Sequence, residues 1–306
     1  MTAPSLPQVT DDGPPGGAPI PAHAIVVGLE KSPDSMAALA WAAAEADASC
    51  RPLHLLHAVQ PALWPDLPAP TGFEPTPAAC VTDAHRALAD SFPRLRVSWS
   101  QPYGAALPAL DWASRFATVV VVGTRGRGAI RQVLTGSTAV QLIADGHCPI
   151  AIVHGPTRPA DRPGPVVLGL EGHPTDSDAL RAAFRAAAQH HRALIAVHAT
   201  DYGFVERVRI EEMVATVQRS YPEISVRVQV TGGDPAELLI THGHRAFLLV
   251  LGARGRHETA GAVLGSVSQR VLRRTDCPVL VVRAGTLRRF SDLRAADDAS
   301  GERLAR

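Results

Sequence analysis

Two glycine-rich segments of this chain have the residue types and the spacing that suit a bound phosphate. The first runs Gly123, Thr124, Arg125, Gly126, then nine residues, then Gly136, Ser137 and Thr138. The second runs Gly252, Ala253, Arg254, Gly255, then nine residues, then Gly265, Ser266 and Val267. Glycine lets the backbone turn tightly and brings N–H groups against phosphate oxygens with no Cβ in the way. A Gly-Ser pair opening a helix adds N–H groups without intrahelical partners and the positive end of the dipole. The serine hydroxyl is a further donor. Arg125 and Arg127, with Arg254 and Arg256, flank the first glycines and either bring charge to phosphates or stand as solvated loop arginines. One Gly-x-x-Gly is ordinary turn chemistry. Two with identical spacing, each after a Val/Leu-rich run, ask for more than turns. Neither is a Walker loop, which needs Gly-Lys-Ser/Thr, and Lys31 is the sole lysine of the chain.

Other reactive side chains carry less. His57 and His198 end apolar runs and read as packed histidines rather than bases. His190, His191, His242 and His244 lack metal spacing with acidic partners and read as surface. Cys50, Cys80, Cys148 and Cys277 form no CxxC pair, so a reduced cytoplasmic setting is the simplest reading. Cys148 and Cys277 precede proline at strand starts and read as structural thiols. Trp41, Trp64, Trp99 and Trp112 show no spacing for a base-stacking platform.

The elements that hold the loops come in two copies. The segments Thr118–Gly128, Gly136–Thr138 and Cys148–Val153 recur at one constant offset, as Ala246–His257, Gly265–Val267 and Cys277–Val282. Upstream, Val26–Glu30 and Leu56–Ala58 recur at a second, longer offset, as Val167–Glu171 and Val197–Ala199. The difference between the offsets falls in the Pro-rich stretch Pro61–Pro77, an insertion of the kind a surface loop tolerates. Within the first copy, apolar runs at Ala24–Leu29, Leu53–Val59, Leu95–Ser100, Thr118–Val122 and Pro149–Val153 read as strands. Helical segments stand between them at Ala37–Ala48 (opened by Ser32-Pro33), Ala78–Ser91, Leu107–Arg115 and from Ser137. Strands alternating with helices mean an α/β fold, a parallel sheet wound on both sides, twice over.

The composition fits two domains, with 306 residues and 46% apolar side chains. A net charge of +1 leaves no electrostatic footprint for nucleic acid or anionic lipid, so neither is an expected partner. No apolar run reaches the roughly 18 residues of a membrane helix. Residues 1–21 read as a disordered arm without signal-peptide features, 22–155 as the first domain and 156–163 as a linker. Residues 164–285 read as the second domain, and 286–306 as a charged tail, disordered or a frayed helix.

With its two Gly-x-x-Gly-x9-Gly-Ser loops, its VHA/LHA strand ends, its Cys-Pro-led final strands and VVGLE-x-S-P-x-S, the chain resembles the universal stress protein family in tandem form. The resemblance spans Ala24–Ala284. It implies five-stranded Rossmann-like units of the adenine nucleotide alpha hydrolase-like type, strand order 3-2-1-4-5, binding ATP or AMP, with Mg2+ left open. By the same resemblance the loop residues Gly123, Arg125, Gly126, Gly136, Ser137 and Thr138 would hold phosphates and ribose. So would Gly252, Arg254, Gly255, Gly265, Ser266 and Val267. Ala58 and Val122, like Ala199 and Leu251, would sit against adenine. The first-strand ends Gly28, Leu29 and Glu30, and Gly169, Leu170 and Glu171, complete each site. The family has Asp where Glu30 and Glu171 stand, and the extra methylene carries the carboxylate about 1.5 Å further toward the nucleoside.

The resemblance implies a non-catalytic, nucleotide-dependent regulator of stress response. A ligand-free dimerisation scaffold and a slow ATPase are the alternatives. The final strands would join the halves as an internal pseudo-dimer, since an apolar sheet edge must be paired or covered, and a further homodimer is compatible with it. Nucleotide is expected in at least one half, and Gly126→Ala and Gly255→Ala should weaken its binding, measured by calorimetry, because a Cβ blocks the approach of the backbone to phosphate. Unchanged affinity in both would return the loops to plain turns.

Overall fold

The computed structural model describes residues 18–59, 77–124, 137–155, 162–201, 203–253 and 264–287. The first half runs β1 (Ile25–Gly28), α1 (Pro33–Ala48), β2 (Leu53–Leu56), α2 (Ala79–Ser91), β3 (Val97–Ser100), α3 (Ala106–Ser114), β4 (Val119–Gly123), α4 (Ser137–Asp145) and β5 (Ile150–Val153). The second half repeats it: β6 (Val166–Leu170), α5 (Ser177–Gln189), β7 (Leu194–Ala199), α6 (Gly203–Gln218), β8 (Val226–Thr231), α7 (Pro235–Gly243), β9 (Leu248–Gly252), α8 (Ser266–Arg274) and β10 (Val279–Val282).

Local chemistry sets the boundaries. Ser32 caps α1 by accepting from the Ser35 N–H at 3.2 Å, with Pro33 at the first helical position. Asp234 caps α7 in the same way, accepting from Ala236 and Glu237 ahead of Pro235. The inner strands are short apolar runs buried on both faces, as parallel strands between two helical layers must be. The run predicted at Leu53–Val59 pairs as a strand only to Leu56, with Val59 making an isolated bridge to Tyr103.

The ten strands form one sheet in the order β3-β2-β1-β4-β5-β10-β9-β6-β7-β8. Every neighbouring pair is parallel except the central one, where β5 and β10 run antiparallel with Ala151 opposite Leu280. Side chains repeat across this junction. His154, which follows β5, places its ring nitrogens 2.8 Å from the Leu272 carbonyl oxygen and 3.1 Å from that of Cys277. Arg283 is the equivalent residue after β10, and its guanidinium donates to the Ala144 carbonyl. Away from the sheet, Glu45 on α1 meets the His190 ring at 2.7 Å and accepts from the Gln189 amide at 2.7 Å.

Three expectations change. His190 is not a surface histidine: it packs against Phe247 with ring centroids 4.6 Å apart and bridges the halves through Glu45. The arm does not run free to residue 21, because the Ala18 N–H donates to the Trp99 carbonyl on edge strand β3 at 3.1 Å. The tail does not begin at 286, since Thr286 and Leu287 are 4% and 8% exposed. Asp178 pins that stretch by accepting from the Gly285 N–H at 2.6 Å.

His54 lies wholly inside the first half, its ring nitrogens each 2.8 Å from a serine hydroxyl, Ser98 and Ser100. Burial lowers its pKa to about 4. The unfolded chain therefore takes up this proton first on acidification. Stability is intact above the ordinary histidine pKa near 6.5 and is lost as the pH falls from there to 4. The loss is on the order of 3 kcal/mol, from about 1.4 kcal/mol per unit. His54→Gln should flatten the urea midpoint against pH in that window, and an unchanged slope would assign acid sensitivity elsewhere. Ala151→Pro, at the centre of the junction, should cost about 3 kcal/mol and lower the Tm by about 6–12 °C. A variant with unaltered Tm would show that this pairing does not hold the halves.

Candidate functional site

In each half the carboxyl ends of the first and fourth strands splay apart where the winding reverses, leaving a cleft of the kind that takes ligands in open α/β sheets. The first cleft is about 140 Å3 and is lined by residues from β1, β2, β4 and the first turns of α3 and α4. It gathers Gly28, Leu29, Glu30, Ala58, Val122, Gly123 and Thr138 of the sequence-derived set. The second, about 60 Å3, gathers Gly169, Leu170, Glu171, Ala199, Leu251, Gly252 and Val267. Arg125, Gly126, Gly136, Arg254 and Gly255 lie outside the described residues, and Ser137 enters only as the first residue of α4. Gly265 is the N-cap of α8, and Ser266 is exposed outside the lining. Ser268 lines the second cleft instead and donates to the Gly252 carbonyl at 3.1 Å.

Position by position, the second cleft is the more crowded. Ala106 and Val122 of the first are Pro235 and Leu251 in the second, while Leu110 and Leu239 correspond unchanged. A Cβ on Gly28 would stand 3.4–3.5 Å from Leu110 and Val122, an ordinary contact. On Gly169 it would stand 3.0 Å from both Leu239 and Leu251, because that cleft is already filled. The hydroxyls of Thr124 and Thr138 are lost at the equivalent Ala253 and Val267.

Charge follows the same division. In the first half Ser35 accepts from the Glu30 N–H at 3.0 Å, and the Glu30 carboxylate accepts from the Ser32 hydroxyl at 2.9 Å. In the second half Asp176 stands where Ser35 was. Its Oδ2 accepts from Glu171, Gly172 and His173 N–H at 2.9, 2.9 and 3.1 Å. Three convergent N–H groups that could face an anion are thus taken by the protein's own carboxylate. Across the mouth, Arg270 bonds Asp234 at 2.7 Å and Glu237 at 3.0 Å, and Arg274 also pairs with Glu237. These exposed pairs hold α8 to α7. Each is weak alone, and together they form a network. The positions equivalent to Asp234, Glu237, Arg270 and Arg274 are Ala105, Pro108, Gln141 and Asp145, so the first half has no counterpart.

Residues missed from the sequence are Ser35, Leu56, Ala106, Leu110, Thr124 and Ala139 in the first cleft and Asp176, Val197, Pro235, Leu239 and Ser268 in the second. The i, i+4 pairs Ala106/Leu110 and Pro235/Leu239 were the available signal, since that spacing aims both side chains from one helix face. His57 and His198 are orienting residues, each with Nδ1 within 2.9 Å of a strand-end carbonyl oxygen, Leu29 and Leu170. Cys148 and Cys277 are buried, and desolvation raises both pKa values, that of Cys277 to about 12. Thiols so far from ionised are inert at neutral pH.

Gly123 has a reason that phosphate binding does not require. A Cβ there would lie 2.7 Å from the Asp34 carbonyl carbon and oxygen, in the first turn of α1. Thr124 reinforces the contact by donating to Asp34 Oδ2 at 2.8 Å.

The sequence profile described as the Universal stress protein family matches residues 22–154 and again 164–283. A universal stress protein of Mycolicibacterium smegmatis is 33% identical over 285 residues, covering 85% of this chain and 97% of that one. A universal stress protein of Mycobacterium tuberculosis is 31% identical over 286 residues, at the same 85% and 97% coverage. A universal stress protein structure from Archaeoglobus fulgidus shares the fold with a TM-score of 0.62 at 19% identity, covering 87% of this chain and 98% of that chain. Among the described residues no helix is long and apolar enough to cross a membrane.

Gly123→Ala should destabilise the ligand-free protein by about 1–3 kcal/mol through overpacking against α1, read from a urea melt. Unchanged stability would leave Gly123 with a ligand role alone.

Proposed function

This chain belongs to the universal stress protein family, and from that premise we propose that it is a cytoplasmic, adenine-nucleotide-binding regulator whose working site is the cleft of the first half. The observation that carries this reading is the difference between the two clefts. The first keeps smaller side chains and the Thr138 hydroxyl where the second has Pro235, Leu251 and Val267. An adenine ring fits the apolar walls of Leu56, Ala58, Leu110 and Val122. Glu30 offers a carboxylate to ribose hydroxyls, and the start of α4 with Thr138 offers donors to phosphate. The bound nucleotide would supply charge and a hydrogen-bonding base, and ATP or AMP would each satisfy the lining.

Regulation is favoured over catalysis by the same lining. Its one titratable side chain among the described residues is Glu30, which the same reading assigns to the ribose hydroxyls. General acid–base hydrolysis asks for a base free to reach an attacking water. For the second half a scaffold reading has specific support, because Asp176 already fills the anion position there.

Calorimetry with ATP, ADP and AMP tests the proposal. The unmodified chain should bind at least one of them. Gly28→Val, which puts a branched side chain between Leu110 and Val122, should weaken binding more than tenfold at unaltered fold by circular dichroism. Absence of heat with all three, together with no nucleotide released from the purified protein, would replace this reading by the ligand-free scaffold.

A further inference from the structure

The sheet has two outer edges, β3 and β8, and the chain treats them differently. At the first edge β3 bonds β2 through the carbonyls of Arg96 and Ser100, which accept from Leu53 and His57 N–H. The Trp99 carbonyl therefore points outward, and the Ala18 N–H takes it at 3.1 Å. At the second edge β8 bonds β7 through the carbonyls of Ser225 and Thr231, which accept from Leu194 and Thr200 N–H. By the same alternation Arg227 and Gln229 face β7, while Val226, Val228 and Val230 turn their N–H and carbonyl groups outward. Arg207 on α6 reaches that side, donating to the Val230 carbonyl at 3.2 Å. Among the described residues nothing meets the backbone groups of Val226 and Val228 there, or the Val230 N–H. Val228 is the repeat's equivalent of Trp99, without a counterpart of Ala18. Nor does β8 hold lysine or proline, the residues that commonly guard an open edge.

We infer that a second copy of this chain joins here, β8 to β8, antiparallel about a two-fold axis at Val228. That register sets outward groups opposite outward groups, as the hydrogen-bonded pairs of an antiparallel ladder require. Val228 N–H donates to the partner's Val228 carbonyl, and Val230 N–H to the partner's Val226 carbonyl, each in both directions. None of these bonds needs the carbonyl that Arg207 holds. The register also places Arg227 opposite the partner's Gln229. A slip of two residues toward the strand start would set Arg227 against the partner's Arg227, two like charges face to face. A slip the other way leaves the first residues of β8 unpaired. The occupant is β8 of the second copy and not its β3, because Ala18 already holds the outward carbonyl of Trp99. The chain joins two edges in this antiparallel sense once already, at β5 and β10. Repeated at β8, the operation closes at two copies, since only the β3 edges remain.

Beside this edge lies α6, which carries Phe204, 80% exposed, one turn before Arg207, and the exposed Val208 one turn after Phe204. A two-fold axis normal to the sheet keeps α6 of both copies on one face and antiparallel. Phe204 and Val208 then come beside the C-terminal half of the partner's α6 and leave water, which accounts for apolar side chains at a bare helix end. No residue of β8 or α6 lines either cleft, so the interface is independent of whether nucleotide binds.

Sedimentation of the full chain over a concentration series tests this, the expected species being a dimer of twice the 32.3 kDa chain mass. Val228→Pro removes the outward N–H at the axis and leaves the β7 ladder intact. It should weaken the dimer by about tenfold or more. Phe204→Asp with Val208→Asp, both exposed and outside the core, should also weaken it, and this pair keeps the test if the proline variant fails to fold. The register is read by mild oxidation in a Cys50→Ser background, which removes the exposed native thiol. Chains with Arg227→Cys mixed with chains carrying Gln229→Cys should form an interchain disulfide that neither forms alone. A monomer at every concentration would overturn the proposal and leave the edge to an extended segment of another protein. A dimer that neither set of changes weakens, or a disulfide formed by the Arg227→Cys chains alone, would overturn it too.

Discussion

The antiparallel pairing of β5 with β10 is the contact on which the rest of the architecture depends. Each half alone would end its sheet in a short, wholly apolar strand with unpaired backbone groups, the kind of edge that recruits other chains. Joining the two edges satisfies both ladders and buries both strands. The antiparallel sense has a geometric result: the carboxyl ends of the first-half strands point opposite to those of the second. The two clefts therefore open in opposite directions and cannot share one ligand. The pseudo-symmetry is written into side chains as well, with His154 and Arg283 each reaching across to a carbonyl of the other half.

Duplicated backbones have drifted apart chemically. The second cleft is narrowed by Leu251 and Pro235, has Ala253 and Val267 where the first has threonines, holds an internal carboxylate at Asp176, and has its flanking helices clamped by Arg270 and Arg274. The larger side chains reduce the room in the second cleft, and Asp176 takes three backbone donors there. The first cleft shows none of these features. On the proposed reading, such a division would leave one half to bind and the other to present a fixed surface, the two being joined through Glu45, Gln189, His190 and the central strands.

Much of this was legible in the sequence because duplication tests itself. Two constant offsets identified corresponding strands, and glycines after Val/Leu runs marked the ends that matter. What stayed hidden depends on which helix face meets which strand. Leu110 and Leu239 look like any helix core residue until α3 and α7 are laid over the cleft. Asp176 looks like a surface aspartate until its three backbone donors converge. Gly123 was legible as a glycine that must be glycine, but its contact with Asp34, on a helix far away in the sequence, was not. His190 failed as a surface residue because sequence does not say that Glu45 will stand opposite it.

If, as proposed, one half binds nucleotide and the other does not, a count of bound ligands reveals it. Native mass spectrometry of the full chain, titrated with ATP or AMP, resolves zero, one or two nucleotides on each molecule. The account predicts a single bound nucleotide at saturation, retained when Gly169 is changed to Val and lost when Gly28 is changed to Val. Two nucleotides per chain, or one that disappears with the Gly169 change, would contradict it.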